Sequence, residues 1–420
     1  MNLVERITAL LGLASVAALS AQQIKPGAPV ALAQLLAEAN TNNSQISAAD
    51  HDWQAARRVP REVTTLPDPT AMVQQFSVGS PKPFAGYTNS DFAYIGIGAA
   101  QELPYPGKLR LRGQTAERAA DIKGAQLDAV KATVTDGVKD DYLQLAYLQK
   151  TLGILMENKD VLGQLIQNAT AHYEVGQGMQ QDVLQAQVER TRILRDITMH
   201  HQQMWQVQAH LKALLHRDQS SPDVVTEDLT ESPLRTTSAE LLNMVRERNP
   251  QVQVDASTLH RQEAQLASAK REGKPDFDIA YEYENTDRKY RDYYMLTFDV
   301  RFPRKKRVDA QIAEAAEMLE SSRSALDAEL QQQLAAVQQE YVTASSDTEA
   351  LKEYREGLIP QSDAVYRATL SAYAANREQF TRVLLAFTDV LNRRLEYAQT
   401  LMERERALAH LETLTGASLR

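Results

Sequence analysis

The sequence predicts a mainly α-helical protein with a small β part, in which two long helical hairpins and four strands arise from an internal two-fold repeat. Three observations predict this fold: the distribution of proline, a long apolar stripe with helical spacing, and the return of four motifs about 200 residues later. Composition agrees, because only 6% of the 420 residues are aromatic and the common residues Ala, Leu, Gln, Glu and Arg favour helix.

Proline marks where helices can run. Fourteen of the fifteen prolines lie at 26–106 or 222–303, which leaves 107–221 free of proline and 304–420 with Pro360 alone. Because proline breaks helix interiors, both windows are predicted to hold long helices, the first of them roughly 100 Å long at 1.5 Å per residue. Pro360 is predicted to bend or interrupt its helix, either as a simple bend or as an asymmetry that lets this hairpin move.

An apolar stripe runs along the first window. Its eight steps cover 28 residues, a spacing of about 3.5 that is typical of a left-handed coiled coil. The stripe therefore predicts a helix that packs against other helices. Its members are Leu127, Val130, Val134, Val138, Tyr142, Leu145, Leu148, Leu152 and Leu155.

Four motifs return in the same order in the second half of the chain. They are Leu-Leu with Asn-x-Gln, Pro-Asp, an apolar residue with Pro, and Tyr-x-x-Gly or Tyr-x-x-Asn, the last followed by Val-Leu-x-Ala. The ordered series predicts an internal duplication. The pairs lie at 35–45 and 241–251, 67–68 and 275–276, 103–104 and 302–303, and 173–186 and 373–386.

The N-terminus has the features of a secretory signal peptide, which we predict at 1–21. A basic start precedes the apolar stretch Ile7–Leu19, and small residues follow it. The alternative is an ordinary amphipathic first helix. Since the chain has no Cys, we expect neither N-terminal lipidation nor disulfides and thiolate metal sites.

Each repeat is predicted to contain, in order, a helix, a strand pair and a long helical hairpin. The first repeat is predicted at 22–218, with strands at about 70–102 and the hairpin at about 107–216. A linker or equatorial segment is predicted at 219–237. The second repeat is predicted at 238–420, with strands at about 276–302 and the hairpin at about 304–416.

The strand pairs alternate with a period of two. In the second pair, Phe277, Ile279 and Tyr281 alternate with Asp278, Ala280 and Glu282. The first pair shows a weaker pattern, in which Met72, Gln74 and Phe76 precede Ile95, Ile97 and Ala99. One interpretation is two hairpins packed on a soluble helical core. The other is four membrane strands, and since four cannot close a barrel, three chains would have to supply twelve. The predicted lumen residues are Asp278, Glu282, Glu284, Asp299 and Arg301.

The order of these features resembles a known family. Each half has a strand pair, a long coiled helix, a Tyr-led tip and a returning helix with Val-Leu-x-Ala, and the first half has a Pro-x-Pro-Gly-Lys turn at 104–108. This arrangement resembles the TolC family of outer-membrane efflux channels, and the stretch 102–108 looks most like the branch associated with heavy-metal efflux. The resemblance implies a homotrimer in the outer membrane, with a TolC-like α-helical barrel continuous with a twelve-stranded β-barrel and extending into the periplasm.

The resemblance also implies a function and partners. The channel would be a passive exit duct for small molecules or metal ions, delivered by an inner-membrane pump and a periplasmic adaptor protein, and it would contact outer-membrane lipid. Two alternatives stay open: an exit duct for type I protein secretion, and a soluble periplasmic coiled-coil tether. The net charge of −9 disfavours nucleic acid as a partner.

In the family the helical tips form the periplasmic gate and the adaptor-docking surface. Asp182 and Tyr373 match a closing pair, although Asp182 could instead complement the helix dipole. Arg382 stands where the family has an acidic ring, and Leu385 replaces another acidic residue, so block by divalent cations is not expected here. The predicted tip residues are Tyr173, Gly176, Gly178, Asp182, Tyr373, Asn376 and Arg382.

Enzyme chemistry is not predicted. The sequence has no His-Glu-x-x-His motif, phosphate loop, nucleophile elbow or dinucleotide fingerprint. The adjacent carboxylates of Asp140 and Asp141 are interpreted as solvated helix charges rather than a catalytic dyad. We therefore expect no catalytic residues, no metal site and no cofactor.

Overall fold

The computed structural model describes residues 28–77, 93–286 and 291–419, so the predicted signal peptide lies outside the described residues. The helices are α1 Leu32–Asn42, α2 Ser44–Ala56, α3 Val59–Thr64, α4 Lys108–Glu174, α5 Gln180–Leu214, α6 Ser238–Arg248, α7 Pro250–Arg271, α8 Lys305–Glu353, α9 Ile359–Ala374 and α10 Phe380–Thr415. The strands are β1 Thr70–Phe76, β2 Tyr94–Leu103, β3 Asp276–Asn285 and β4 Asp292–Arg301.

Two long helical hairpins dominate the fold, as predicted. In the first hairpin, α4 has 67 residues and is therefore roughly 100 Å long, and α5 returns along it. In the second hairpin, α8 and α9 are joined by a π-helical turn, Tyr354–Leu358, and α10 returns. This turn ends two residues before Pro360. Because Pro360 has no N–H to donate, the regular α-helix is interrupted next to it, as the sequence predicted.

The predicted apolar stripe of α4 is buried in two of the hydrophobic clusters of the described residues. Leu127, Val134, Val138 and Leu145 are buried with residues of α1, α2 and α5. Nearer the hairpin tips the stripe continues through Leu155, which belongs to a second cluster that α9 and α10 also enter. The two hairpins are therefore packed together at their tips.

The strands form one antiparallel sheet in the order β1-β2-β3-β4. Residues paired across an antiparallel sheet lie on the same face, so the register assigns every residue to a side. One row across the sheet joins Val73, Ile97, Tyr283 and Tyr294. The next row joins Met72, Gly98, Glu282 and Met295 on the opposite face.

This register corrects the predicted alternation of β1. The sequence pattern grouped Met72, Gln74 and Phe76 with Ile95 and Ile97 as one apolar face. Met72 instead pairs with Gly98 and Gln74 with Gly96, so both share a face with the carboxylates of β3. Ala71 and Val73 lie on the apolar face of β1, because pairing with β2 determines whether the odd-numbered or the even-numbered residues of β1 face that side.

A compact junction joins the sheet to the helices. The buried Lys108 amine, at the start of α4, lies 2.8 Å from Asp276 and 3.3 Å from Glu272. Gly107 precedes it with a φ of +93°, and a side chain there would meet the guanidinium of Arg271. That guanidinium donates a 2.6 Å hydrogen bond to the carbonyl of Pro106. The Pro-x-Pro-Gly-Lys turn is thus held against the end of α7 and the start of β3.

The segment between the repeats is also fixed by side chains. Gln208 of α5 exchanges two hydrogen bonds with the backbone of Val224, at 2.7 and 3.0 Å. Further along, the backbone of Ser232 accepts from Arg404 at 2.6 Å and donates to Glu405 at 2.9 Å. Arg404 and Glu405 are both fully buried on α10, so this segment packs as part of the folded structure.

Candidate functional sites at the sheet and the helical tips

One face of the sheet is apolar and open to the surroundings. Val73 is 71% exposed, Ile97 59%, Leu296 73% and Phe298 60%. The register places all four on the same face. A continuous exposed apolar face of this kind marks a surface that binds protein or lipid.

The other face is charged, and it carries every predicted lumen residue. Asp278 pairs across the strands with Asp299, an unfavourable contact between like charges. Arg301 offsets it, because its guanidinium lies 2.8 Å from the Asp278 carboxylate and 2.8 Å from that of Glu102. Sequence reasoning missed Glu102, although the two-residue period of β2 puts it on this face.

The remaining lumen candidates lie over glycines of the neighbouring strand. The Cγ of Glu282 would be 2.8 Å from a Cβ at Gly98, and the Cγ of Glu284 would be 3.2 Å from a Cβ at Gly96. The missing side chains on β2 therefore make room for two carboxylate side chains. On the charged face, Gly96 and Gly98 of β2 therefore lie beside the carboxylates of Glu284 and Glu282 of β3.

The two helical tips have the same backbone structure, 200 residues apart. Gly176 and Asn376 both adopt positive φ, at +73° and +53°. At each tip the residue with positive φ donates to the carbonyl of the Tyr three residues before it, and the next residue donates to the carbonyl five residues before it. This is the Schellman pattern, which ends a helix with a left-handed residue.

The other predicted tip residues are mostly on the surface. Tyr173 is about half exposed, and a side chain at Gly178 would lie 3.1 Å from the Tyr173 nitrogen. Arg382 is exposed and 3.8 Å from Glu378. The chain therefore reverses tightly at each tip and presents a cation at the second one.

Tyr373 is buried where the two hairpins meet. Its ring lies 5.1 Å from that of His172 and 5.5 Å from that of Phe380. Among the described residues neither the Tyr373 hydroxyl nor His172 Nδ1 has a hydrogen-bond partner, although both atoms are buried. Burial raises the pKa of Tyr373, and the charge of Asp182 raises it further.

Tyr373 and Asp182, which match the closing pair of the family, make no hydrogen bond with each other within the described chain. The Asp182 carboxylate instead accepts from the Met179 N–H at 3.3 Å, which satisfies a free donor at the start of α5. In this arrangement Asp182 complements the helix N-terminus. Sequence reasoning missed His172, because a lone His at the end of a helix gave no signal.

Asp140 is partly exposed and Asp141 is buried, and each carboxylate has a side-chain partner, which corrects the interpretation of both as solvated helix charges. Asp140 binds the guanidinium of Arg406, with its Oδ2 at 2.8 Å from Nη2. Asp141 is buried and lies 2.6 Å from Nδ1 of His210. Burial raises the pKa of Asp141, and the hydrogen bond from His210 opposes that rise. The two carboxylates face different helices, because α4 packs against both α10 and α5.

The described ranges show neither of two features that are expected of other functional classes. No cluster of three or more His, Asp or Glu residues there could hold a metal ion. None of the helices in these ranges combines the length and apolar content that a membrane-spanning helix needs.

Comparison with known proteins agrees with this architecture. Residues 77–216, which include β2 and the first helical hairpin, match the model of the family described as outer membrane efflux protein. The resemblance to outer-membrane efflux channels is confirmed. No curated protein matches the chain by sequence.

Solved structures of outer-membrane proteins have the same fold. The outer-membrane channel OprN superposes with a TM-score of 0.79 at 16% identity, over 92% of this chain and 90% of that one. The channel CusC gives 0.78 at 15% identity, over 92% of each chain. The outer membrane protein VceC of Vibrio cholerae gives 0.79 at 13% identity, over 93% and 97%. At these sequence identities the similarity concerns the fold alone. The three TM-scores are too similar to favour the heavy-metal branch or any other.

Proposed function

We propose that this protein is the outer-membrane channel of a tripartite efflux system. It would serve as a passive exit duct for small molecules or metal ions, which an inner-membrane pump and a periplasmic adaptor deliver. The observation that carries the proposal is the two-faced sheet, whose apolar face is exposed while the opposite face carries the carboxylates. A strand that separates lipid from water requires this division.

The sheet also supports the oligomeric part of the proposal. Within the described chain β1 and β4 each pair on one side only, and an open edge cannot be satisfied in lipid. Known membrane barrels need at least about eight strands, and each chain supplies four. A homotrimer with twelve strands closes the barrel, and the two hairpins of each chain extend it for roughly 100 Å into the periplasm.

The tips are the proposed gate and adaptor-docking surface. Tyr373 is the residue best placed for the gate, because it is buried between the two hairpins and its hydroxyl has no partner in the described chain. Opening that separates the hairpins would move it away from His172 of the first hairpin. The exposed residues Tyr173, Gly176 and Arg382, with the half-buried Gly178, form the part of the tip that an adaptor would contact.

Electrical recording and gel electrophoresis together test the channel. Full-length protein purified from the outer-membrane fraction should run as an oligomer before heating and as a monomer after it. In a planar bilayer it should give single-channel conductance with a preference for cations, and E282Q/E284Q should reduce that preference. The matched control E263Q/E349Q removes two exposed carboxylates that lie outside both the sheet and the helical tips, and it should leave the cation preference unchanged. A monomer without conductance would end the proposal in favour of a soluble tether.

Genetics tests the cargo. A strain that lacks the protein should become more susceptible to metal ions if the heavy-metal prediction is right, and to small organic toxins if the pump delivers those. Loss of a secreted protein from the medium, with no change in either susceptibility, would favour the secretion alternative.

A further inference from the structure

The corner where the sheet meets the long helices is strongly basic, although the whole chain is acidic. Three segments converge there: 104–112, 270–276 and 301–307. Together they carry eleven Lys or Arg and only two Asp or Glu, in a chain with 46 basic and 55 acidic residues. The corner therefore concentrates positive charge at the helical end of the sheet.

The three segments enclose a cavity of about 500 Å³. Its lining residues are Lys108, Glu272, Asp276, Arg301, Phe302, Pro303, Arg304 and Arg307. Both acidic residues of the lining are already paired, since Lys108 contacts Asp276 and Glu272, and Arg112 contacts Glu272 at 2.9 Å. Arg301 is paired with Glu102 and Asp278. The uncompensated charge of the cavity thus belongs to Arg304 and Arg307.

Those two arginines belong to a run of four exposed cations. Arg304, Lys305, Lys306 and Arg307 are all exposed, and within the described residues none of them makes an ion pair. The run also begins α8, whose first turn has no acidic residue. Cations at the positive end of a helix dipole repel it, so an anion from outside would relieve two unfavourable interactions at once.

The position of the run indicates the source of that anion. Phe302, which directly precedes it, is 77% exposed and lies two residues beyond Val300 of the apolar face. An exposed aromatic next to cations at the end of a membrane strand is the arrangement that meets the polar surface of a bilayer. Arginine binds phosphate through two parallel N–H donors, which suits a lipid head group.

We propose that Arg304 and Arg307 form a binding site for the phosphate head group of an anionic phospholipid in the periplasmic leaflet. The proposal rests on the membrane placement of the sheet proposed above. The acyl chains would lie along the apolar face beside Phe302, while the head group enters the cavity. The site would fix the depth of the sheet in the bilayer and attach the start of α8 to the membrane surface.

Native mass spectrometry of the full-length protein in neutral detergent tests the site. With added phosphatidylglycerol or phosphatidylcholine, the protein should retain phosphatidylglycerol at least tenfold more strongly. R304Q/R307Q should lose at least fivefold of that retention. The matched control R190Q/R377Q removes two exposed arginines of the hairpins that make no ion pair in the described chain, and it should retain the lipid fully. R304K/R307K keeps the positive charge but loses the two parallel N–H donors of each guanidinium. Its retention of phosphatidylglycerol should lie between that of the unaltered protein and that of R304Q/R307Q.

Further arms separate the possible failures. Inorganic phosphate at millimolar concentration should not displace the lipid; displacement would assign the site to a free anion. Equal retention of both lipids would overturn the proposal. Full retention of phosphatidylglycerol by R304Q/R307Q would also overturn it, provided that this variant still runs as an oligomer on a gel before heating. Protein that conducts in bilayers without lipid preference refutes this site alone, whereas protein that neither assembles nor conducts refutes the channel itself.

Discussion

Asn43 and Asn249 make the same hydrogen bond in the two halves of the molecule. Nδ2 of Asn43 donates to the Leu214 carbonyl at 2.8 Å, and Nδ2 of Asn249 donates to the Leu414 carbonyl at 2.8 Å. Each Asn also caps the helix that follows it, because its Oδ1 accepts from the backbone of Ile46 or Val252. One side chain therefore joins the start of a short helix to the end of a long hairpin in both repeats.

The first prediction follows from this double role. N43A or N249A removes a helix cap and leaves a leucine carbonyl without its donor, so each should lower the free energy of unfolding by about 1–3 kcal/mol. Thermal denaturation of the purified protein measures the effect. N40A is the control, because Asn40 is exposed and only bonds within its own helix. If N43A and N40A have the same melting temperature, the hydrogen bond from Asn43 to the Leu214 carbonyl does not contribute to stability.

The repeat shows how much of the fold could be predicted. The motifs that contain Asn43 and Asn249 return in order in the sequence, so the duplication and both hairpins could be predicted. The partner carbonyls of Leu214 and Leu414 could not, because contacts between residues 165 or more apart leave no local pattern.

The sheet was predicted less completely than the hairpins. In β3, apolar and polar residues alternate strongly enough for the sequence to assign its two faces. In β1, polar Gln74 and Gln75 are adjacent, so the sequence does not show which residues belong to the apolar face until β1 pairs with β2. At the tips, the positions of Gly176 and Asn376 followed from their tolerance of positive φ. The contact of His172 with Tyr373 depends on how two hairpins pack and has no signature in either one.

Adjacent residues of β4 test the orientation of the sheet. Leu296 lies on the apolar face and Thr297 on the charged one. With the apolar face in lipid as proposed, L296K places a cation there, which costs about 2–4 kcal/mol near the bilayer midplane, and should abolish the heat-sensitive oligomer in the outer-membrane fraction. T297K adds the same side chain to the aqueous face and should assemble normally. The reverse result would mean that the charged face, not the apolar one, is directed outward.

Tyr373 provides a test of the gate. Y373F removes a buried hydroxyl that has no partner in the described chain, so it should leave the melting temperature unchanged or slightly higher. If Tyr373 closes the assembled tip, the same variant should raise single-channel conductance in a planar bilayer. Y366F is a suitable control, because Tyr366 packs against Phe387 further along the same helix. Unchanged conductance of Y373F would remove its hydroxyl from the gate.

Asp182 separates capping from gating. D182N keeps the shape of the side chain but loses the charge that complements the start of α5, which should cost about 0.3–1 kcal/mol. We therefore expect a lower melting temperature, and, if Asp182 also belongs to the gate, a higher conductance. A lower melting temperature with normal conductance would leave capping as its only role.

The pH dependence of stability can be tested at Asp347 in α8. Its Oδ2 is buried without a hydrogen-bond partner among the described residues. Burial raises the pKa of this carboxyl, the charge of Glu403 adds to the rise, and Arg404 opposes it. The folded protein therefore holds the proton more tightly than the unfolded chain, and the stability that this provides is lost as the pH rises above the ordinary carboxyl range.

D347N removes this dependence while keeping the shape of the side chain. Because an amide costs less to bury than a carboxylate, D347N should melt at a higher temperature than the unaltered protein at pH 7, and the difference should shrink towards pH 4, where the carboxyl becomes neutral. D327N provides the comparison, since Asp327 is exposed on the same helix, and its melting temperature should follow that of the unaltered protein at both pH values. A D347N that melts lower at pH 7 would show that the Asp347 charge is stabilised by Arg404 rather than penalised by burial.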